Sequence, residues 1–499
     1  MNEVVLNDQR KKLGINFFFN FVSQVLTLLI PLITAPYLAR VLHESGNGQY
    51  SYSLSIITYF ILFSNLGFDV YGQRQIAAHQ NDKYECSKIF WEIFILKIIF
   101  TSIATILLYL IIFTVGFGYP YNKLILLLSF QVITVPFDIQ YYFRGKENFA
   151  AIAIRTIIVK IAALILIFCF VKKEDDLWIY CLIMSLSIMG SNLIMWFSIP
   201  RKVNIINIHN FNLKQHLKPA ILIFLPSLAI TIYSVFDKTM IGILSSNPDY
   251  DNGCYEQAYK LNSVMLLLVT IISLVLVSRN ANEYKKGGID SIKPNLYFSA
   301  NYVWLIGTPL IVGVNVLSKN LCTWFLGDGY FEVPLLLGIM SVRFISSGFA
   351  ELFGNQFFIA IGKEKYYTIA SVLAAIVNFT LNLILIPLYG AIGAAIATAA
   401  CELVVTLVLG FFTYRMHILS FKRMFLISWK YLIASFIMFF PLFFLQKIMD
   451  YSISSFIILT VVGALTYFIM LLVLQDSFMK KYVKYFINIF LKRRKIYEK

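Results

Sequence analysis

Runs of about twenty apolar residues follow one another along this chain with little between them, and a chain patterned in this way is stable only in a bilayer. Roughly 20 helical residues cross a 30 Å hydrocarbon core, because each adds ~1.5 Å of rise. Backbone polar groups cannot be left open in lipid, so spanning segments of this length must be helices. The length rule predicts fourteen spans, near 15–38, 50–68, 89–115, 121–143, 150–171, 177–199, 217–242, 257–278, 296–317, 333–358, 366–387, 390–414, 425–447 and 455–475. Composition agrees, with 59% hydrophobic and 14% charged residues among 499, against roughly 25% charged in a soluble domain. The expected fold class is all-α integral membrane.

The basic residues set the direction. With the N-terminus inside, 30 Lys and Arg fall in inner loops and tails. The outer loops hold only Arg40, Lys123, Lys172, Lys173, Lys319 and Lys447. This is the bias of cytoplasmic flanks, so both termini are expected in the cytoplasm. The formal charge of +16 follows from that bias and requires no nucleic acid partner. The stretch Leu13–Leu38 is too long for the core of a signal peptide and lacks a small-residue cleavage site. The six cysteines show no CxxC spacing and read as apolar filler rather than as a Cys254–Cys322 disulfide. No GxxxxGK[ST] loop and no HExxH is present. Neither catalytic residues nor a metal or cofactor is therefore expected, and the chain reads as a transporter rather than an enzyme. The tail interleaves Lys480, Lys481 and Lys484 with Tyr482, Tyr485 and Phe486 and ends on Lys492–Lys495, the pattern of a helix lying on anionic lipid.

Two passages echo each other six spans apart. Gly145-Lys146-Glu147 follows the fourth span, and Gly362-Lys363-Glu364 follows the tenth, 217 residues later. Gly48-Gln49-Tyr50 opens the second span as Gly253-Cys254-Tyr255 opens the eighth. The echoes predict two six-helix bundles around a central cavity plus two C-terminal helices. The expected order is a cytoplasmic segment 1–14, a first bundle 15–199, a linker 200–216, a second bundle 217–414, two further helices 425–475 and the basic tail 476–499. Matched halves of this kind alternate access by rocking.

Ionisable residues inside spans carry the functional signal, because each costs about 2.5–3.5 kcal/mol at the bilayer centre and so faces a cavity or a partner. Lys97 lies about 12 Å into the third span, Lys160 about 15 Å into the fifth and Arg343 about 15 Å into the tenth. Arg155 is shallower on the inner side, while Arg40, Lys238 and Lys260 lie in the outer third. Together they could form a ladder of cations suited to an anionic, lipid-like cargo. The alternatives are local: Arg40, Arg155 and Lys260 are close enough to interfaces to snorkel. Lys260 can also pair with Glu256 four residues back, and Lys238 can neutralise Asp237. Glu402 and Glu351 lie deep in their spans and are candidates for coupling to H⁺ or Na⁺, with a static pairing of Glu402 to Arg343 as the alternative. Asp69 and Asp138 near the inner face are candidates for gating.

The chain resembles the polysaccharide-transporter branch of the superfamily that also contains multidrug extruders and lipid II flippases. The matching residues are Tyr37-Leu38-Ala39-Arg40, Gly46-Asn47-Gly48-Gln49-Tyr50, Leu225-Pro226, Asp237-Lys238 with Gly242, Gly253-Cys254-Tyr255, Asn378 with Asn382, and Ile386-Pro387-Leu388-Tyr389-Gly390. The resemblance covers nearly the whole chain and is specific for the family, not the cargo. It implies a flippase carrying undecaprenyl-pyrophosphate-linked repeat units across the bacterial cytoplasmic membrane for capsule, O-antigen or exopolysaccharide. It also implies membrane lipids, a polymerase and glycosyltransferases as partners, with the chain itself a monomer. A multidrug extruder of the same fold and a membrane-embedded glycan polymerase are the competing functions. Cationic drugs call for acids in the first bundle, where Lys97, Arg155 and Lys160 dominate. A polymerase calls for a large outer loop that this chain lacks.

Overall fold

A computed structural model describes residues 2–115, 120–199, 203–207, 211–476 and 478–480. The side chains of 2–29, 115, 225–227, 229, 230, 232–234 and 427 are outside that description. The basic tail beyond Lys480, expected to lie on the lipid surface, is also outside it. Helices account for the ordered structure, and no strand occurs among the described residues. Ten described segments are long and apolar enough to cross a membrane.

The chain divides into two compact units, Met1–Gly253 and Cys254–Lys499. The first holds α1 (Asn2–Asn65), α2 (Phe68–Ala78), α3 (Lys83–Val115), α4 (Asn122–Leu128), α5 (Phe130–Ile133), α6 (Gln140–Gly145), α7 (Phe149–Phe170), α8 (Leu177–Trp196) and α9 (Lys214–Leu244). Next comes α10 (Pro248–Phe325), whose first turn still belongs to the first unit. The second unit continues through α11 (Val333–Met340), α12 (Arg343–Phe353), α13 (Lys365–Arg415), α14 (Phe421–Ile448) and α15 (Ile453–Val473).

Three long helices are interrupted where the backbone leaves helical geometry: at His43 in α1 (φ 52°), at Gly287 and Gly288 in α10 (φ −139° and 65°), and at Gly390 in α13 (φ 54°). Positive φ is cheap for glycine, which explains the latter two, but not for histidine. His43 is held by its neighbours: its carbonyl accepts from Asn47 Nδ2 at 2.7 Å, and the same amide reaches Leu38 O at 3.1 Å.

The passages that echo each other also fold alike, but in a shifted register. Lys146, Glu147 and Asn148 donate backbone N–H groups to Tyr142, Arg144 and Phe143. Ile361, Gly362 and Lys363 donate in the same pattern to Phe357, Ile359 and Phe358. The left-handed residue is Glu147 (φ 57°) in one loop and Gly362 (φ 74°) in the other. The structural offset is thus 215 residues where the Gly-Lys-Glu echo gives 217, and that triplet does not superpose. The glycine echo is exact in space. A Cβ on Gly48 would meet Asp249 O at 1.8 Å, and a Cβ on Gly253 would meet Glu44 O at 2.0 Å. Each contact is the other displaced by 205 residues, a reciprocal packing that only two bare backbones allow.

The fourth predicted span is not one helix. It runs as α4, α5, a 3-10 turn at Val135–Phe137 and α6, with Asp138 extended between the last two. The tenth breaks between α11 and α12 and ends in a π-helical turn, Gly354–Ile359. In the first unit the interruption lies between two apolar clusters. Leu42, Ala104, Val132 and Cys181 belong to one, and Phe68, Phe90, Leu96 and Tyr141 to the other.

Candidate functional site: charged side chains at two interrupted helices

A broken helix leaves carbonyls that lipid cannot satisfy, so neighbouring side chains must do so. In the first unit Asn192 Nδ2 reaches Thr134 O at 3.3 Å, Trp196 Nε1 donates to Phe137 O at 2.9 Å, and Lys97 Nζ donates to Asp138 O at 2.8 Å. Lys97 comes from α3 at the level of the seam, since Leu96 packs in one cluster and Ala104 in the other. Its side chain is 0% exposed and forms an ion pair with Asp69 at 2.5 Å, while Nζ lies 5.1 Å from the Tyr141 ring centre. Asp69, 26% exposed, also accepts from Asn65 at 2.7 Å. The Asp138 carboxylate accepts from Gln140 N and Gln140 Nε2, both at 3.1 Å.

The second unit repeats the theme with different residues. Arg343 opens α12 directly after the break. It is buried, donates Nη1 to Asn262 Oδ1 at 3.0 Å and Nη2 to Glu402 at 3.3 Å, and lies 5.1 Å from the Tyr259 ring centre. Asn262 in turn donates to Met340 O, a carbonyl freed by the break. The contact to Glu402 is longer than the 2.7–2.9 Å typical of charge-assisted bonds.

These geometries revise the expected ladder of cations. Lys97 and Arg343 do not stand open to a cargo, because a buried charge must be compensated and each has found its own carboxylate. Glu402 pairs with Arg343, as in the alternative weighed for it above, and Glu351 accepts from Asn355 at 2.7 Å. Lys260 pairs with Glu256 at 3.1 Å, the local i,i+4 pairing. Arg40 is exposed and donates to Pro36 O at 3.4 Å, and Lys238 is half-buried beside buried Asp237.

Of the candidate cations, Arg155 and Lys160 on α7 form no ion pair with a described residue, although Asp138 acts on Arg155 at longer range. Arg155 is 5% exposed, yet it meets only Ser191 O at 3.0 Å and Met195 Sδ at 2.9 Å, and its Nε has no partner among the described residues. Lys160 is half-buried with no ion pair or hydrogen bond to any described residue. With roughly 100° between successive helical residues, Lys160 projects with buried Ala153, Ala163 and Ile167. Exposed Ile154, Ile158, Ile161 and Ile165 lie on the opposite side. Its exposed half therefore opens on the packed face of α7, away from the lipid-facing isoleucines.

One cluster escaped sequence reasoning. Glu92 is fully buried and receives Asn212 N at 2.6 Å and His216 Nε2 at 2.7 Å, while Tyr71 OH lies 2.8 Å from His216 Nδ1. A neutral imidazole donating from Nε2 and accepting at Nδ1 satisfies both contacts. With Asn204 N bonded to Ser87 Oγ and Asn204 O to Trp91 Nε1, these contacts strap the segment before α9 onto α3. Glu92 sits three residues inside an apolar run, and its partner is 124 residues away. Among the described residues no group of three or more His, Cys, Asp or Glu could hold a metal ion, and Cys254 and Cys322 are free, buried thiols.

The second unit also holds an apolar groove of about 320 Å³ between α10, α14 and α15. Leu268, Pro309, Gly313, Met438, Leu459 and Phe468 are among its walls. A Cβ added at Gly313 meets nothing within 4 Å.

Residues 13–279 match the polysaccharide biosynthesis protein family, and the chain belongs to that family. It is 24% identical over 409 residues to an Escherichia coli K12 protein described as "Putative O-antigen transporter", covering 80% of this chain and 96% of that one. In fold it is similar to the lipid II flippase MurJ in an inward closed conformation, with a TM-score of 0.74 at 16% identity over 94% of this chain and all of that one. It is also similar to an inward-facing MATE family multidrug resistance transporter of the MOP superfamily, with a TM-score of 0.62 at 14% identity over 78% and 98% of the two chains.

Proposed function

We propose that this protein is a flippase for polyprenyl-diphosphate-linked oligosaccharide units, moving them across the bacterial cytoplasmic membrane for surface polysaccharide assembly. The observation that carries the reading is the uncompensated Lys160 on the packed face of α7. A half-buried Lys160 with no ion pair or hydrogen bond to any described residue stabilises an anion that must leave water. The diphosphate of such a cargo supplies that anion. Taken by itself, the apolar groove of the second unit suits a segment of isoprenoid chain. The O-antigen transporter relative supports the glycan class, and undecaprenol is the proposed lipid.

The same proposal includes fourteen crossings. The interruptions at His43, Gly288 and Gly390 turn ten apolar segments into thirteen, and α9 adds one more. The basic loops then place both termini in the cytoplasm, and transport runs by alternating access coupled to H⁺ or Na⁺. Multidrug export is the less favoured function, because the unpaired Lys160 on α7 is a cation and would repel cationic drugs.

Filling the groove tests the lipid half. Gly313→Phe occupies open space and should leave folding intact. It is expected to weaken binding of undecaprenyl diphosphate to the purified protein by about tenfold, roughly 1.4 kcal/mol, with geranyl diphosphate unaffected. Equal weakening of both lipids, or of neither, would contradict a tail site in the groove.

A further inference from the structure

We propose that α9, the seventh crossing, works as a part of the first unit rather than of the second, and that the segment before it is the strap that fastens it there. The inference goes beyond the flippase reading and rests on it only for the movement that such a part would serve.

The glycine echo makes α9 the opening helix of the second repeat, the counterpart of the start of α1. Its packing runs the other way. Ala220 is fully buried in the apolar cluster built by Phe68, Phe90 and Tyr141, and Leu213, Leu217 and Phe224 pack against the same cluster. A Cβ on Gly67 would meet Ala220 O at 2.7 Å, so the turn between α1 and α2 fits against α9 only as glycine. Further along, Thr239 Oγ1 lies 2.8 Å from Ser55 Oγ and 2.9 Å from Tyr59 OH, both on α1. A Cβ on Gly242 would meet the Tyr52 ring at 2.0 Å. Asp249, in the first turn of α10, then accepts from Gln49 Nε2 at 3.0 Å and from Tyr121 OH. The compact first unit accordingly ends at Gly253, past α9.

A helix behind a slack linker is free to follow either unit, but this linker is not slack. Ser87, Trp91 and Glu92 stand on one face of α3 at i, i+4 and i+5. Ser87 Oγ takes Asn204 N and Trp91 Nε1 reaches Asn204 O, both at 3.0 Å. Glu92 is 0% exposed, and a buried carboxylate is tolerated only while donors surround it. It holds Asn212 N at 2.6 Å, His216 Nε2 at 2.7 Å and Gln215 Nε2 at 3.4 Å. Tyr71 OH completes the chain from α2, 2.8 Å from His216 Nδ1. The linker is therefore tied by its backbone at two points and by its first helical turn at two more. A displacement of α2 and α3 is passed directly to α9, and the slack that separates the two moving parts lies beyond Gly253.

Native-state hydrogen exchange of the full-length protein in detergent tests which unit α9 opens with, because amides of one cooperative unit shift together. In Glu92→Ala, amides 214–224 of α9 and 86–96 of α3 should both exchange at least about tenfold faster, since bonds to a buried charge are lost. Amides 343–353 of α12 should stay at the wild-type rate. In Arg343→Ala the pattern should reverse, with α12 faster and α9 unchanged. Tyr71→Phe and Asn262→Ala are the milder variants of the same pair and decide the matter where the first two do not fold. An α9 that speeds up together with α12 in the second-unit variants would overturn the proposal. So would an α9 at the wild-type rate in both Glu92→Ala and Tyr71→Phe. No cargo enters the measurement, so its failure is separate from any failure of the flippase reading.

Discussion

Arg343→Ala is expected to destabilise the protein by about 3–5 kcal/mol, the cost of leaving one member of a buried ion pair alone. The change strips Glu402 of its countercharge and leaves Asn262 Oδ1 without its donor, in a pocket where Arg343 is only 5% exposed. The double variant Arg343→Met/Glu402→Leu removes both charges and should recover most of that loss, because well-packed apolar replacements of a buried pair are commonly neutral or stabilising. Thermal unfolding in detergent checks both, with a large fall in midpoint for the single variant and a small one for the double. Arg343 is paired with Glu402, so the expected effect of the single variant is on stability. Loss of glycan in that variant would report loss of protein.

Lys160→Ala should behave in the opposite way. No described residue loses a partner, so membrane levels and unfolding should match the wild type. A charged hydrogen bond to phosphate contributes about 1.5–3 kcal/mol, so cargo affinity should fall roughly 10- to 100-fold. Surface polysaccharide in cells relying on this chain should fall with it. Lys160→Arg should restore both, since a guanidinium also binds phosphate. Surface glycan at wild-type amounts in Lys160→Ala, and again in Lys160→Ala with Arg155→Gln, would remove α7 from the account.

What the sequence makes legible follows from the range of the forces involved. Apolar run lengths are local signals, and among the described residues they coincide with ten long apolar segments. The i,i+4 pairing of Lys260 with Glu256 is equally local. The Asp69–Lys97 pair joins residues 28 apart, and Arg343–Glu402 joins residues 59 apart. Periodicity alone cannot tell whether such a cation faces a carboxylate or a cavity. That is why Lys97, Arg343 and Lys160 look alike in the sequence and differ in the structure. The interruption of the fourth crossing has a faint mark in Pro136, whereas the break before Arg343 has none. The Gly-Lys-Glu echo is instructive in another way, because the loop geometry does repeat while the matching letters fall two residues out of register.

The central claim is movement of a lipid-linked glycan between leaflets, and reconstitution tests it directly. Purified protein is placed in vesicles carrying undecaprenyl-diphosphate oligosaccharide in both leaflets, and a glycan-cleaving enzyme is added outside. With the wild-type chain the inner-leaflet pool should become accessible and be cleaved. In vesicles with Lys160→Ala, or without protein, it should stay protected. An inner pool that remains protected in the presence of folded wild-type protein, at every imposed proton or sodium gradient, would contradict the account.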